Sequence, residues 1–222
     1  MSAAGRDGKK PRVLIADDQA ITAAAICTLL EPECEVVGIV GNGRALLDAA
    51  QKSCPDVIVL EVALSQLNGV DAAAQLTKLV PGSKLVFLTT QASPVIATKA
   101  FQAGASAYVL KSSPPSSLSQ AIHAVMNGRH FVCPLITKDL LANGTNGAAV
   151  YGAKWTLSCL TPRQREVLQL IGEGRGTKEV ATVLNIAVKT VEFHKFKIMQ
   201  QLGLHSTAAL AKRAIAEGLV SS

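Results

Sequence analysis

The stretch "PDVIVLEVAL", residues 55–64, decides the fold. Val57, Ile58, Val59 and Leu60 form an unbroken apolar run, mostly β-branched, behind Pro55 and Asp56. Such a run suits a strand buried on both faces, the mark of a parallel sheet covered by helices. Glu61 follows at once, a carboxylate at the tip of a strand otherwise built for the core.

Comparable runs flank it. Strands are predicted over Val13–Asp17, Glu35–Val40, Val57–Glu61, Lys84–Thr89 and Ala107–Lys111. Helical spacing fills the gaps near 20–30, 44–53, 69–79 and 93–104. A fifth helix is predicted near 114–128, with Pro114 and Pro115 at its entrance. This alternation predicts an α/β fold, a five-stranded doubly wound parallel sheet over residues 11–132. In such sheets sites form outside the carboxyl ends of the strands.

Residues 133–158 break the pattern. "NGTNG" is turn-rich and aperiodic, so a short helix near 134–142 and then a linker are expected. Residues 159–222 read as a small all-α domain. Thr161, Pro162 and Gln164 fit a capping box at the start of its first helix. A second helix is predicted over 177–184, a third from about Val188 to Leu202 stopped by Gly203, and a fourth from Ser206 to Gly218.

The composition narrows the function. The chain has 222 residues, 49% hydrophobic, which allows two folded domains with real cores. No apolar segment follows the basic N-terminus and no run is long enough to span a bilayer, so a cytoplasmic, membrane-free protein is expected. The five cysteines are odd in number and never in CxxC spacing, which suits reduced, buried thiols rather than a disulfide or metal site. Of the net charge of +6, residues 159–222 hold 9 Lys/Arg against 5 Asp/Glu. This bias in the small helical part points to a polyanionic partner.

The strand ends carry the chemistry. Asp17 and Asp18 follow the first, Glu61 the third, Thr89 and Thr90 the fourth, and Lys111 the fifth. Clustered carboxylates on one rim repel unless a cation joins them, and a hard divalent cation such as Mg²⁺ takes such oxygens. A hydroxyl and an ammonium beside them suit a phosphoryl group.

In order and type these residues resemble the receiver domain of two-component response regulators, a flavodoxin-like fold. The resemblance implies a metal set of Asp17, Asp18, Glu61 and the position of Ala63, with weak Mg²⁺ binding expected. It implies Thr89 as the switch hydroxyl, Tyr108 as the switch aromatic and Lys111 as the phosphate-facing lysine. The departure is Glu61, which stands where the family carries a phosphoacceptor aspartate. Ser65 replaces the family's proline, and Thr90 its small residue after the switch hydroxyl. The extra methylene moves the carboxylate outward by about 1–1.5 Å, and such a misplacement costs on the order of 10²-fold in phosphoryl transfer. Two readings stay open: Glu61 as a partial phosphate mimic, or a receiver that has lost switching and serves to dimerise. Slow phosphorylation of Glu61 in a phosphorelay is the third. The replacement argues against a sensor histidine kinase as partner.

Residues 160–203, "LTPRQREVLQLIGEGRGTKEVATVLNIAVKTVEFHKFKIMQQLG", resemble the LuxR-type helix-turn-helix of the NarL/FixJ regulators. The resemblance implies double-stranded DNA as partner, with the helix from Val188 in the major groove. Lys189 and Thr190 at its start are placed for phosphate, Lys195 and Lys197 for phosphate or bases, and Phe193 for a thymine methyl. His194 is assigned to packing or phosphate, and Phe196 is expected to pack inward. The last helix resembles the family's dimerisation helix, through Ala208, Ala211, Lys212 and Ile215, and implies a homodimer. The rival readings are a phosphotransferase or phosphatase on the same sheet, and a receiver-like scaffold without specific DNA recognition.

Overall fold

The computed structural model describes residues 10–134, 136 and 159–220. Its first part alternates strands and helices. These are β1 (Arg12–Ala16), α1 (Ala20–Leu30), β2 (Glu35–Val40), α2 (Gly43–Ser53), β3 (Val57–Leu60) and α3 (Gly69–Leu79). There follow β4 (Lys84–Thr89), α4 (Pro94–Gln102), β5 (Ala105–Leu110), α5 (Ser116–Met126) and β6 (Phe131–Val132). The strands pair in parallel in the order β2-β1-β3-β4-β5-β6.

The sheet has six strands where five are predicted. The sixth spans two residues, too short to carry a period of its own. β5 also begins at Ala105, two residues before its predicted start, and its pairing with β4 shifts register between Leu85 and Val86. The helix expected near 134–142 and the linker to 158 lie outside the described residues, apart from Pro134 and Ile136.

The pleat sorts the core into two layers. Leu14, Ile58, Leu60 and Phe87 face Leu46, Leu76 and Ala97 of α2, α3 and α4. Val13, Val57, Val59 and Val109 face Ile26 and Leu30 of α1 and Leu118 and Ile122 of α5. β3 lies in the middle of this sandwich, and its four side chains are at most 1% exposed. Each such side chain contributes roughly 1.5–3 kcal/mol of transfer free energy. That is why the strand must be apolar to its last residue, and why a carboxylate can appear only beyond Leu60.

The second part is a bundle of α6 (Pro162–Gly172), α7 (Thr177–Leu184), α8 (Val188–Leu202) and α9 (Thr207–Ala216). The predicted capping box forms: Gln164 N donates to Thr161 Oγ1 at 3.2 Å, and Thr161 N to Gln164 Oε1 at 2.8 Å. Gly203 closes α8 with a φ of +64°, a left-handed cap that favours glycine. Val180, Ala181, Leu184, Val191 and Ile198 meet Val167, Leu170 and Leu210 in one core.

Candidate functional site

The strand ends converge as the topology requires. β1 and β3 are neighbours, so Asp17 and Glu61 emerge side by side, and β5 delivers Lys111 from across β4. The backbone holds this rim: Glu61 N donates to Ala16 O at 3.0 Å, and Lys111 N to Thr89 O at 2.8 Å. Lys111 Nζ lies 2.6 Å from Asp17 Oδ2 and 2.9 Å from Glu61 Oε2. Glu61 Oε1 turns back on its own loop and accepts from Val62 N at 2.6 Å. Asp17 Oδ1 accepts from Gln19 N at 2.9 Å. Asp17, Glu61 and Thr89 are buried. Burial alone would depress the Lys111 ammonium, but the hydrogen-bonded carboxylates of Asp17 and Glu61 outweigh it and raise its pKa.

Asp18 stands at the exposed rim. Partial burial of its carboxyl, then the charges of Asp17 and Glu61, raise its pKa above the ordinary value. Thr89 is fully buried, and its hydroxyl oxygen accepts from Gln91 N at 3.2 Å rather than bonding Glu61. Tyr108 is fully buried, and its hydroxyl donates to Gln91 O at 2.8 Å. Burial first, then the charge of Glu61, pushes the phenol pKa well up.

The expected Mg²⁺ set is not assembled. Among the described residues no three His, Cys, Asp or Glu side chains form a metal-binding group. The reason is local. Lys111 takes one oxygen each of Asp17 and Glu61, Asp18 is left at the exposed rim, and Ala63 N donates to Glu61 Oε1 at 3.4 Å.

The loop from Val62 to Asn68 runs from Glu61 directly onto the helical part. Gln169 of α6 donates through Nε2 to Leu64 O at 2.8 Å and accepts through Oε1 from Asn68 N at 2.7 Å. Gln66, held at a φ of +65°, donates its N–H to Glu173 Oε1 at 2.7 Å. Asn68 Nδ2 donates to Gly218 O at 3.3 Å. Gly69 lets α3 start against the Glu61 backbone, since a Cβ there would lie 2.1 Å from Glu61 O. Flanking ion pairs join Arg165 to Asp71 at 2.8 Å and Arg44 to Glu166 at 2.7 Å.

Sequence reasoning did not reach Gln169. The signal was present, because Gln169 interrupts the apolar run Val167-Leu168-Gln169-Leu170-Ile171. A polar residue inside such a run is buried and bonded or it is costly, and Gln169 is 1% exposed.

The residues assigned to DNA divide by exposure. Lys189, Thr190 and Phe193 are exposed on α8, while His194, Lys195 and Lys197 are half-buried. Phe196, expected inside, is 63% exposed, because Val191 and Ile198 occupy the packed side of the helix. On α9, Ala208 and Lys212 are exposed and Ala211 is half-buried. Ile215 lines a cleft of about 640 Å³ between the two parts, with Ala63, Thr90, Gln91 and Glu217. Ala214 packs against α6, where a Cβ on Gly172 would lie 2.6 Å from its own.

This fold and rim define a class, and comparison with known proteins agrees. Residues 13–123 match the response regulator receiver domain, and residues 158–214 match the luxR family of bacterial regulatory proteins. The chain belongs to the response regulators of the LuxR type, which are DNA-binding transcription factors. It is 32% identical over 208 residues to the transcriptional regulatory protein DesR of Bacillus subtilis strain 168, covering 93% of this chain and 97% of that protein. Its fold is similar to the RcsB response regulator of Salmonella typhimurium, with a TM-score of 0.59, 25% identity, and coverage of 94% and 99%. A structure of two RcsB dimers bound to two parallel DNAs matches with a TM-score of 0.56, 25% identity, and coverage of 92% and 98%.

Proposed function

We propose that this chain is a cytoplasmic, homodimeric transcription factor whose DNA binding does not depend on phosphorylation. The domain limits are taken as 11–132 for the receiver, 133–158 for the linker and 159–222 for the helix-turn-helix. The carrying observation is the closed ion cluster. Lys111 bridges Asp17 and Glu61, and the other oxygen of Glu61 is held by Val62 N. Both carboxylate oxygens of Glu61 are thus engaged, and the side chain is one methylene longer than the aspartate of the family. Phosphoryl transfer requires an oxygen free for in-line attack with its counter-ions in register. The same point disfavours a phosphotransferase or phosphatase. DNA and dimer assignments draw support from the LuxR-type domain and from the RcsB dimers bound to DNA.

The test uses the purified chain, labelled acetyl phosphate and Mg²⁺. No label should appear on Glu61, and affinity for a selected DNA site should not change with the donor. Stable, Mg²⁺-dependent labelling with a matching gain in affinity overturns the proposal. Glu61→Asp shortens the side chain and is expected to recover some labelling. Glu61→Ala separates the two origins of independence: a mimic loses DNA affinity or dimerisation, and a lost switch changes little.

A further inference from the structure

The outer face of α8 carries two benzene rings where a solvated helix would carry charge. Phe193 is 58% exposed and Phe196 63% exposed. Three positions apart, they share one face of the helix, opposite the buried Val191 and Ile198. The contacts of the Phe193 ring are local: Lys197 Nζ lies 5.9 Å from its centroid, and the His194 ring meets it edge-on at 6.0 Å. Leaving such rings in water forgoes roughly 1.5–3 kcal/mol apiece, so folding does not account for them.

The surroundings decide the occupant. Lys189, Lys195 and Lys197 stand on the same helix. Lysine is depleted at the cores of protein–protein interfaces, while a basic stripe along a helix marks a polyanion. Within a polyanionic major groove, the apolar group on offer is the C5 methyl of thymine. The spacing agrees. Residues three apart rise about 4.5 Å along the helix axis, against about 3.4 Å per base-pair step of B-DNA.

We propose that Phe193 and Phe196 are specificity-determining residues that read thymine methyls at two neighbouring positions of each operator half-site. The proposal rests on the DNA-binding reading above, and the experiment separates the two. Duplexes are selected from a random pool with the full-length protein, and the best is resynthesised with deoxyuridine at each thymine in turn. Deoxyuridine keeps every hydrogen bond and removes only the methyl.

Selected half-sites should contain thymines at neighbouring positions. Deoxyuridine at two of them should weaken binding about fourfold each, the equivalent of one buried methylene. Phe193→Ala and Phe196→Ala should each abolish the penalty at one position, with circular dichroism unchanged because both side chains are exposed. Equal wild-type affinity for thymine and deoxyuridine duplexes overturns the proposal and leaves DNA binding intact. So does a penalty that survives both substitutions, or a loss of self-association in place of methyl discrimination. Enrichment of no sequence overturns both readings.

Discussion

The side-chain amide of Gln169 is bonded to the carbonyl of Leu64 at 2.8 Å, which ties the helical domain to the loop that begins at Glu61. Its amide oxygen takes the Asn68 N–H at 2.7 Å, so one residue closes both ends of the loop. The contact is buried, and water cannot stand in for a missing partner.

Gln169→Leu should therefore separate the domains. It leaves the Leu64 carbonyl and the Asn68 N–H without partners, at a cost of about 1–3 kcal/mol each. Small-angle scattering should show a larger radius of gyration, and amide exchange should speed up over 62–69. An unchanged scattering curve would mean that the flanking pairs, Arg165 with Asp71 and Arg44 with Glu166, hold the contact alone.

Lys111→Met should destabilise the receiver by about 3–5 kcal/mol, because it strands two buried carboxylates. Adding Glu61→Gln should recover part of the loss. Urea midpoints of the single and double variants check this. Equal midpoints for wild type and Lys111→Met would show that the ammonium does not hold the cluster.

Lys99 lies on α4 close to Glu217 and Arg165 of the helical domain. Burial first, opposed by the charge of Glu217 and assisted by that of Arg165, lowers its pKa from 10.5 to about 8. Between about 8 and 10.5 the unfolded chain binds the proton and the folded chain does not. Stability should therefore rise with pH across that window. Lys99→Met should flatten the rise, measured as the urea midpoint of the variant against wild type. A slope identical in both would assign it to other groups.

Dimerisation is tested at Ala211, not at Ala214. Ala211→Glu places a charge on a half-buried position of α9 and should weaken binding to a site with two half-sites while thermal stability stays nearly unchanged. Ala214→Glu would instead break the packing of α9 on α6. Sedimentation that finds the Ala211→Glu dimer intact on DNA would move the interface to another surface.

The lysines of α8 should release counter-ions on binding. Lys189→Ala and Lys197→Ala should each lower the slope of log K against log salt by about 1. An unchanged slope in the double variant would remove α8 from the DNA contact.

The sheet was legible because period and strand-end chemistry agree. Val57–Leu60 announces a buried strand, and parallel topology then forces Asp17, Glu61, Thr89 and Lys111 onto one rim. What that rim does with its charges was not legible. That Lys111 reaches both Asp17 and Glu61 depends on side-chain placement, which period and spacing do not carry. Two-residue β6 and the early start of β5 have no periodic signature. Phe196 was misplaced because an aromatic residue is assumed to seek the core, and here Val191 and Ile198 had filled it. Gln169 stands out as a polar break in an apolar run, but its partners, about a hundred positions earlier in the chain, carry no such mark.

At the centre of the seam the receiver contributes main-chain atoms: Leu64 O, Gln66 N and Asn68 N. The helical domain reads the trace of a loop and one of its side chains, Asn68, which reaches Gly218 O. Among the described residues the Leu64 and Gln66 side chains make no hydrogen bond across the seam, which is sensitive instead to a single insertion or deletion between Glu61 and Gly69. Receivers whose loop follows the same path should be interchangeable in chimeras with this helical domain, provided that Asn68, Asp71 and Arg44 are grafted with them.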